Sequence, residues 1–410
     1  MGGDTFAPDV NGAASFTIRL ATGLAARGHD LHIIAQSHDG RQGAFREEHL
    51  GQTLTVHRLK SFRWPLHDWL RVVYPWAIHG HARRIIKEIA PDVTHAQSHM
   101  LIGRGLITEA SKAKVPLVVT NHFMPENLIE HTPLPRFAWP LAIALAWKDV
   151  ARLYRKAGSL TTPTKRAAAY LESKTGLRHV HAISCGIRMS DYTPDFAPKP
   201  DRRIVFCGRV TGEKMLPDLI EAVAKLPADL DAQLDIVGDG DQRHNLERLA
   251  ARLGVSDRVH FPGRVSDVEL RAILTRATVF AMPSTAELQS IATMEGMASG
   301  LPVVAADAMA LPHLVRDGEN GYLFPPRDVP ALADRLERVL RMPHDERQVM
   351  QRASLRLLEP HDIDTTITVF ERLYVGEDVT DPVTEVPPLT AKLRDQFRSL
   401  ARRAKSAISD

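Results

Sequence analysis

Two glutamates eight positions apart, Glu287 and Glu295, stand in the run TAELQSIATMEGMASGLPVVAA over residues 285–306. The run reads as a turn holding Glu287, a helix carrying Glu295 and an apolar strand, because Gly300 and Pro302 stop a helix where they stand. Both carboxylates are expected at the N-terminal end of that helix. The first N–H groups of a helix have no intrahelical acceptor and carry partial positive charge, which suits them to a phosphate. Leu288, Gln289, Ser290 and Ile291 therefore form a candidate phosphate cradle, flanked by two acids that accept hydrogen bonds from hydroxyls. Acids at a helix start are also favourable with no ligand at all, so neighbouring motifs must decide between binding and simple stabilisation.

Those motifs lie at strand ends. In RIVFCGRVTGEKM (203–215), Gly208 permits close backbone approach, and Arg209 and Lys214 occupy the loop before a helix opened by Pro217. Fixed cations there can stabilise the charge on a departing pyrophosphate without a metal. In PLVVTNH (116–122), His122 falls just past the carboxyl end of a strand, where open α/β sheets bind ligands. Asn11-Gly12 marks a turn before a helix with Phe16, Leu20 and Leu24 at helical spacing. Asp239-Gly240-Asp241 imitates an Asp-x-Asp metal motif, but reads as a strand-to-helix turn in which Asp241 caps the next helix. No metal ligand set is expected.

The elements that must position these residues alternate strand and helix through both halves of the chain, which argues for parallel sheets with helices on both faces. At 410 residues the chain is long enough for two domains of about 150–200 residues each. Taken together, the motifs resemble glycosyltransferase family 4, a retaining family with the GT-B fold, through its Glu-x7-Glu signature and its Gly-Arg…Glu-Lys clamp. The resemblance spans about residues 4–375 and implies an α/β architecture of two Rossmann-like domains facing each other across a cleft. It makes Glu287 the contact to the donor sugar, Glu295 the contact to the nucleotide ribose, and Arg209 with Lys214 the clamp on the leaving diphosphate. It places His122 against the sugar, Gly12 and Gly208 near the diphosphate, and backbone near Gly238 beside the nucleotide. The chain reads Glu-Leu-Gln-Ser where many members read Glu-x-Phe-Gly, which leaves donor identity open. The resemblance implies a UDP- or GDP-hexose as co-substrate, with no cofactor and no metal expected.

Boundaries are expected at 1–195 for the first domain, 202–360 for the second and 361–378 for a helix crossing back, with DFAPKPD (195–201) as linker. A doubly wound sheet starts in its middle, yet only Met1, Gly2 and Gly3 precede Asp4-Thr5-Phe6. The first strand is therefore expected to be missing or truncated, with a true start upstream. Cys185 and Cys207 lack metal-type spacing and read as free thiols in a reducing cytoplasm. A net charge of +3 makes no bulk case for nucleic acid.

Two stretches combine apolar and basic residues. KSFRWPLHDWLRVVYPW (60–76) sets Trp64, Trp69, Tyr74 and Trp76 among Lys60, Arg63 and Arg71, which suits either a membrane interface or ordinary core. The tail 379–410 holds a basic amphipathic pattern, Leu393, Phe397, Leu400 and Ile408 against Lys392, Arg398, Arg402 and Arg403, able to lie on an anionic lipid surface. A helix over 133–156 has apolar Leu141, Leu145 and Trp147 and a basic end that is favourable without function. NHFMPEN (121–127) resembles a run in bacterial glycosyltransferases acting on diacylglycerol. It implies a lipid acceptor and a peripheral place on the inner membrane face, with a phosphatidylinositol-type lipid or a soluble acceptor as alternatives. A GT-B epimerase or a sugar-nucleotide sensor are the readings from other classes.

Overall fold

A computed structural model describes residues 1–9, 11–64, 71–129, 132, 134–199 and 201–379. Trp69 and the basic tail beyond residue 379 lie outside the described residues. The chain forms two compact units, one from Met1–Ser184 together with the chain from Ile363, the other from Cys185–Asp362.

In the first unit the helices are α1 (Gly12–Ala26), α2 (Ile78–Ile89), α3 (Leu101–Ala113), α4 (Pro125–Ile129), α5 (Trp139–Tyr154) and α6 (Lys165–Thr175). Its strands are β1 (His32–Gln36), β2 (Gly43–His49), β3 (Gln52–Leu59), the short hairpin β4 (Ser61–Arg63) and β5 (Arg71–Val73), β6 (Thr94–Ala96), β7 (Leu117–Thr120), β8 (Ser159–Thr162) and β9 (His181–Ala182). β1 pairs in parallel with β3, while β6 to β9 form a parallel ladder. Between them lies the start of the chain. Gly2 donates its N–H to the His95 carbonyl (3.0 Å) and accepts from Gln97 (2.8 Å), while Met1 accepts from Ile34 (2.8 Å) on the other side. Met1–Gly3 thus take the central position that the sequence leaves almost empty. β2, antiparallel to β3, carries polar GAFREEH and has no periodic signal that sequence reading could have used.

α1 begins where Asn11 accepts the Ala14 N–H through its side chain at 3.0 Å, so Gly12 is the first helical residue and not part of a tight turn. Phe16, Leu20 and Leu24 are buried on one face, as their spacing requires. The last helix, numbered below as α14, returns to this unit.

In the second unit the strands are β10 (Arg203–Cys207), β11 (Gln233–Val237), β12 (Val259–Gly263), β13 (Val279–Met282), β14 (Val303–Ala306) and β15 (Gly321–Phe324). The helices are α7 (Leu216–Lys225), α8 (Arg243–Arg252), α9 (Asp267–Arg276), α10 (Ile291–Ala298), α11 (Leu311–Leu314), α12 (Val329–Arg341) and α13 (His344–Leu358), and α14 (Ile363–Tyr374) then rejoins the first unit. All six strands are parallel in the order β12-β11-β10-β13-β14-β15. This is the doubly wound arrangement, and its strand order reverses between β10 and β13. The residues expected as a linker, 195–201, instead hold on to this unit. Gln348 donates to the Phe196 carbonyl (2.9 Å), Lys199 to the Thr275 carbonyl (2.7 Å), and the Arg352 guanidinium lies over the Phe196 ring.

Several histidines are buried neutral. Burial lowers His57 and His99 to about 4 and His361 to about 3. The unfolded chain, with ordinary histidines near 6.5, therefore binds more protons than the folded one below that pH. The stability these neutral rings contribute is complete above pH 6.5 and is lost as pH falls toward 3–4, by up to about 1.4 kcal/mol per pH unit for each ring. Melting temperature is expected to drop between pH 6.5 and 5. A flat profile over that range would show that the rings charge in place.

Candidate active site

The reversal between β10 and β13 brings two loops together at the carboxyl ends of the strands, where an open α/β sheet forms its ligand crevice. The first loop runs from Gly208 to Met215. It is held to its neighbours by the Gly208 N–H on the Val237 carbonyl (3.0 Å) and the Val210 N–H on the Asp239 carbonyl (3.0 Å). The second runs from Pro283 to Ser290 and is tied to the first where the Thr285 N–H and the Ser284 hydroxyl both donate to the Glu213 carbonyl at 3.2 Å. These links set Lys214 against Glu287, 73 residues apart in sequence, in a direct ion pair with only 14% and 11% of the side chains exposed.

Burial pushes the Glu287 carboxyl up, but the charge and hydrogen bond of Lys214, a hydrogen bond from Ser284 and the charge of Arg209 outweigh it. The group is held below the ordinary carboxylate range and is ionised at neutral pH. Arg209 pairs with Glu213 at 3.1 Å on the more exposed edge of the same loop. Glu295 sits in α10, five residues past Ser290. Its carboxylate, with burial as the larger cause, raises the Cys207 thiol, and Lys214 acts on that thiol in the opposite sense. Cys207, Lys214, Glu287 and Glu295 thus share one neighbourhood, and Cys207 is free.

Ser290 takes a left-handed conformation (φ 77°, ψ 80°), and α10 starts at Ile291. Glu287 therefore lies in the loop ahead of the helix, in the turn that the sequence reads there, while Glu295 lies past the first helical turn and not at the helix start. The loop Leu288–Ser290 leads directly into the helix start at Ile291. The Gln289 side chain turns inward, however. It is buried, accepts the Cys185 N–H at 2.7 Å and meets His361 Nδ1 at 3.3 Å, so it braces the loop.

Family models match both halves of the chain, one described as Glycosyltransferase Family 4 over residues 10–191 and one as Glycosyl transferases group 1 over 194–356. The MMP alpha-(1->4)-mannosyltransferase of Mycolicibacterium hassiacum is 30% identical over 292 residues, 68% of this chain and 70% of its own length. The chain belongs to glycosyltransferase family 4. The sulfoquinovosyl transferase SQD2 of Arabidopsis thaliana is 28% identical over 68% of this chain, and the match spans 56% of that protein's own length. Among solved structures, Anabaena HepE in complex with UDP-glucose superposes with a TM-score of 0.68 at 18% identity, covering 91% of this chain and 98% of its own. The fold of this hexosyltransferase is GT-B.

In the first unit of the glycosyltransferase, His122 and the first helix come together, with the Phe16 and His122 rings 5.1 Å apart. Burial lowers His122 to about 3, so the ring is neutral at any physiological pH. Its Nε2 faces the Gln97 carbonyl oxygen at 2.9 Å, and an amide oxygen only accepts, so Nε2 carries the proton and Nδ1 keeps its lone pair. Gln97 rests on His95, whose ring joins Tyr374 Oη (2.7 Å) and Thr120 Oγ1 (2.6 Å). Sequence reading missed Gln97, His95 and Tyr374. For Gln97 a signal existed, since it stands at the end of β6 as His122 does near the end of β7. It also missed Asp4, whose half-buried carboxylate receives the Ser98 hydroxyl and the N–H groups of Ile102 (2.8 Å) and Gly103 (3.3 Å), capping α3 from outside the helix.

Asp241 does not cap α8. Gln242 holds that position with no side-chain bond to the helix's first backbone N–H groups, and Asp239 accepts the adjacent Gly240 N–H at 2.9 Å. Among the described residues, no helix is long and apolar enough to cross a membrane.

Proposed function

We propose that this glycosyltransferase moves a hexose, glucose or mannose, from a UDP- or GDP-sugar to a hydroxyl of a membrane lipid such as diacylglycerol, with retention at the anomeric carbon. The observation that carries the reading is the ion pair of Lys214 with Glu287 at the point where the strand order reverses. A fixed cation and an ionised carboxylate in contact there suit a substrate that presents anionic phosphates beside sugar hydroxyls. The mannosyl relative and the UDP-glucose complex of the Anabaena neighbour support a nucleotide-sugar donor.

In this reading Lys214 and Arg209 neutralise the diphosphate, and the loop Leu288, Gln289, Ser290 and Ile291 presents backbone N–H groups to it. Glu287 orients the sugar, Glu295 holds the ribose, and the neutral His122 accepts a sugar hydroxyl at Nδ1. Gly208 and Gly12 let backbone approach the diphosphate. The bond from the anomeric carbon to the phosphate oxygen breaks, and the acceptor oxygen bonds to the same face. Its proton passes to the departing phosphate, so no side chain need act as a covalent nucleophile. No metal is required, and turnover is expected to persist in chelator.

The test is a melting-temperature screen against UDP-glucose, UDP-galactose and GDP-mannose, because a ligand bound only to the native state raises the transition by mass action. A rise of several degrees is expected with one donor. Incubation of that donor with diacylglycerol vesicles should then yield an α-linked glycolipid. An epimerised sugar nucleotide formed without acceptor, or an inverted linkage, would refute the assignment.

A further inference from the structure

We infer that the exposed face of α5 is a docking surface for an anionic lipid bilayer. Leu141 and Leu145 stand one turn apart on α5, Phe137 lies in the short turn Arg136–Ala138 that leads into it and Leu134 just ahead of that turn, and Phe137, Leu141, Leu145 and Leu134 are all exposed, at 73%, 66%, 56% and 42%. A helix that packs only on its own domain does not present successive turns of large apolar side chains to water. The buried face of the same helix is complete without them, since Trp147, Val150, Leu153 and Tyr154 fill the core side. Sequence spacing alone had grouped Leu141 and Leu145 with Trp147, and the structure separates them.

The exposed face changes character along its length. Beyond Leu145 come Lys148, Arg152, Arg155 and Lys156, all exposed, while the one acid of this stretch, Asp149, is paired with Arg104. Arg104, Arg152 and Lys156 meet His79 around a pocket of about 200 Å³. His79 follows Trp76 by three residues, and Trp76 is 79% exposed. Apolar groups at one end and a cluster of cations at the other fit a bilayer edge, with acyl chains against the first and phosphate headgroups against the second. Charge complementarity therefore selects an anionic partner. It excludes the chain's own tail beyond residue 379, whose Lys392, Arg398, Arg402, Arg403 and Lys405 carry the same sign.

This inference deepens the lipid-acceptor reading and rests on it only for the purpose that docking serves. The full chain should co-float with vesicles containing phosphatidylglycerol and stay in solution with phosphatidylcholine alone. Phe137→Ser combined with Leu141→Ser and Leu145→Ser should abolish flotation, and Lys148→Glu with Arg152→Glu should weaken it by about tenfold or more. Both variants should keep the parental melting temperature, since every altered side chain is exposed. Their donor-induced melting shift should also be unchanged. Parental flotation of either variant that retains the parental melting temperature overturns the proposal. So does a change in oligomeric state by light scattering without loss of flotation, which would assign the face to a second copy of the chain. Flotation that depends on α5 in an enzyme that glycosylates only soluble acceptors would leave the surface standing and refute the lipid acceptor. Transfer to diacylglycerol in detergent with no vesicle binding would do the reverse.

Discussion

Lys214→Ala is expected to lower kcat/KM by about 100–1000-fold, the usual cost of removing one preorganised charge-stabilising group. The ammonium serves twice. It offsets the burial of Glu287 in the resting protein, and in the proposed reaction it takes up charge on the departing diphosphate. Without it, burial dominates at Glu287 and the carboxyl moves up from its present depressed position. The acid limb of the residual activity should therefore shift to higher pH than in the parent. Glu287→Ala should cost a comparable factor, and the double variant should lose far less than the product of the two, because side chains in direct contact are not energetically independent. Near-parental turnover in Lys214→Ala, at unchanged melting temperature, would remove the cation from the mechanism.

Gly238→Ala should destabilise the second unit by roughly 1–3 kcal/mol, the range for strain at a special backbone conformation. Gly238 has φ +128°, and an added Cβ would lie 1.9 Å from the Gly208 carbonyl oxygen. The obstacle is backbone, so no rotamer change relieves it. Both glycines are also fixed by the ladder, Gly238 donating to the Gly263 carbonyl (2.9 Å) and Gly208 to the Val237 carbonyl (3.0 Å). Room for the methyl must come from separating the ends of β10 and β11, which moves the loop that carries Arg209 and Lys214. A fall in melting temperature of about 2–12 °C follows for a domain of this size, together with weaker donor binding. An unchanged transition measured by calorimetry would mean that the strand ends part freely.

Much of the architecture was legible. Apolar strands followed by amphipathic helices with recognisable stops mark local preferences that the tertiary fold has no reason to override, and α1 buries Phe16, Leu20 and Leu24 as their helical spacing requires. Strand ends flag His122, Gly208, Arg209 and Lys214 because side chains just past a parallel strand have nowhere to go but the crevice. The failures share a cause as well. The start of α10, which leaves Glu295 past the first turn, depended on one left-handed residue, Ser290, and the inward turn of Gln289 on partners at Cys185 and His361 that are distant in sequence. Polar β2 pairs because β3 offers it an edge, not because its own residues demand a strand.

The sequence by itself determined the family, through the resemblance of its motifs, and the doubly wound parallel layout with the residue types at the carboxyl ends of the strands, since periodicity and helix stops are local properties of the chain. Tertiary structure alone decided that Lys214 meets Glu287, that Gln97 sets the tautomer of His122, and that Leu141 and Leu145 face water while Trp147 of the same helix is core. Each of those outcomes joins segments far apart in the chain. It is fixed by the order in which the strands assemble and by which side of each element another element covers, and no local pattern carries that information.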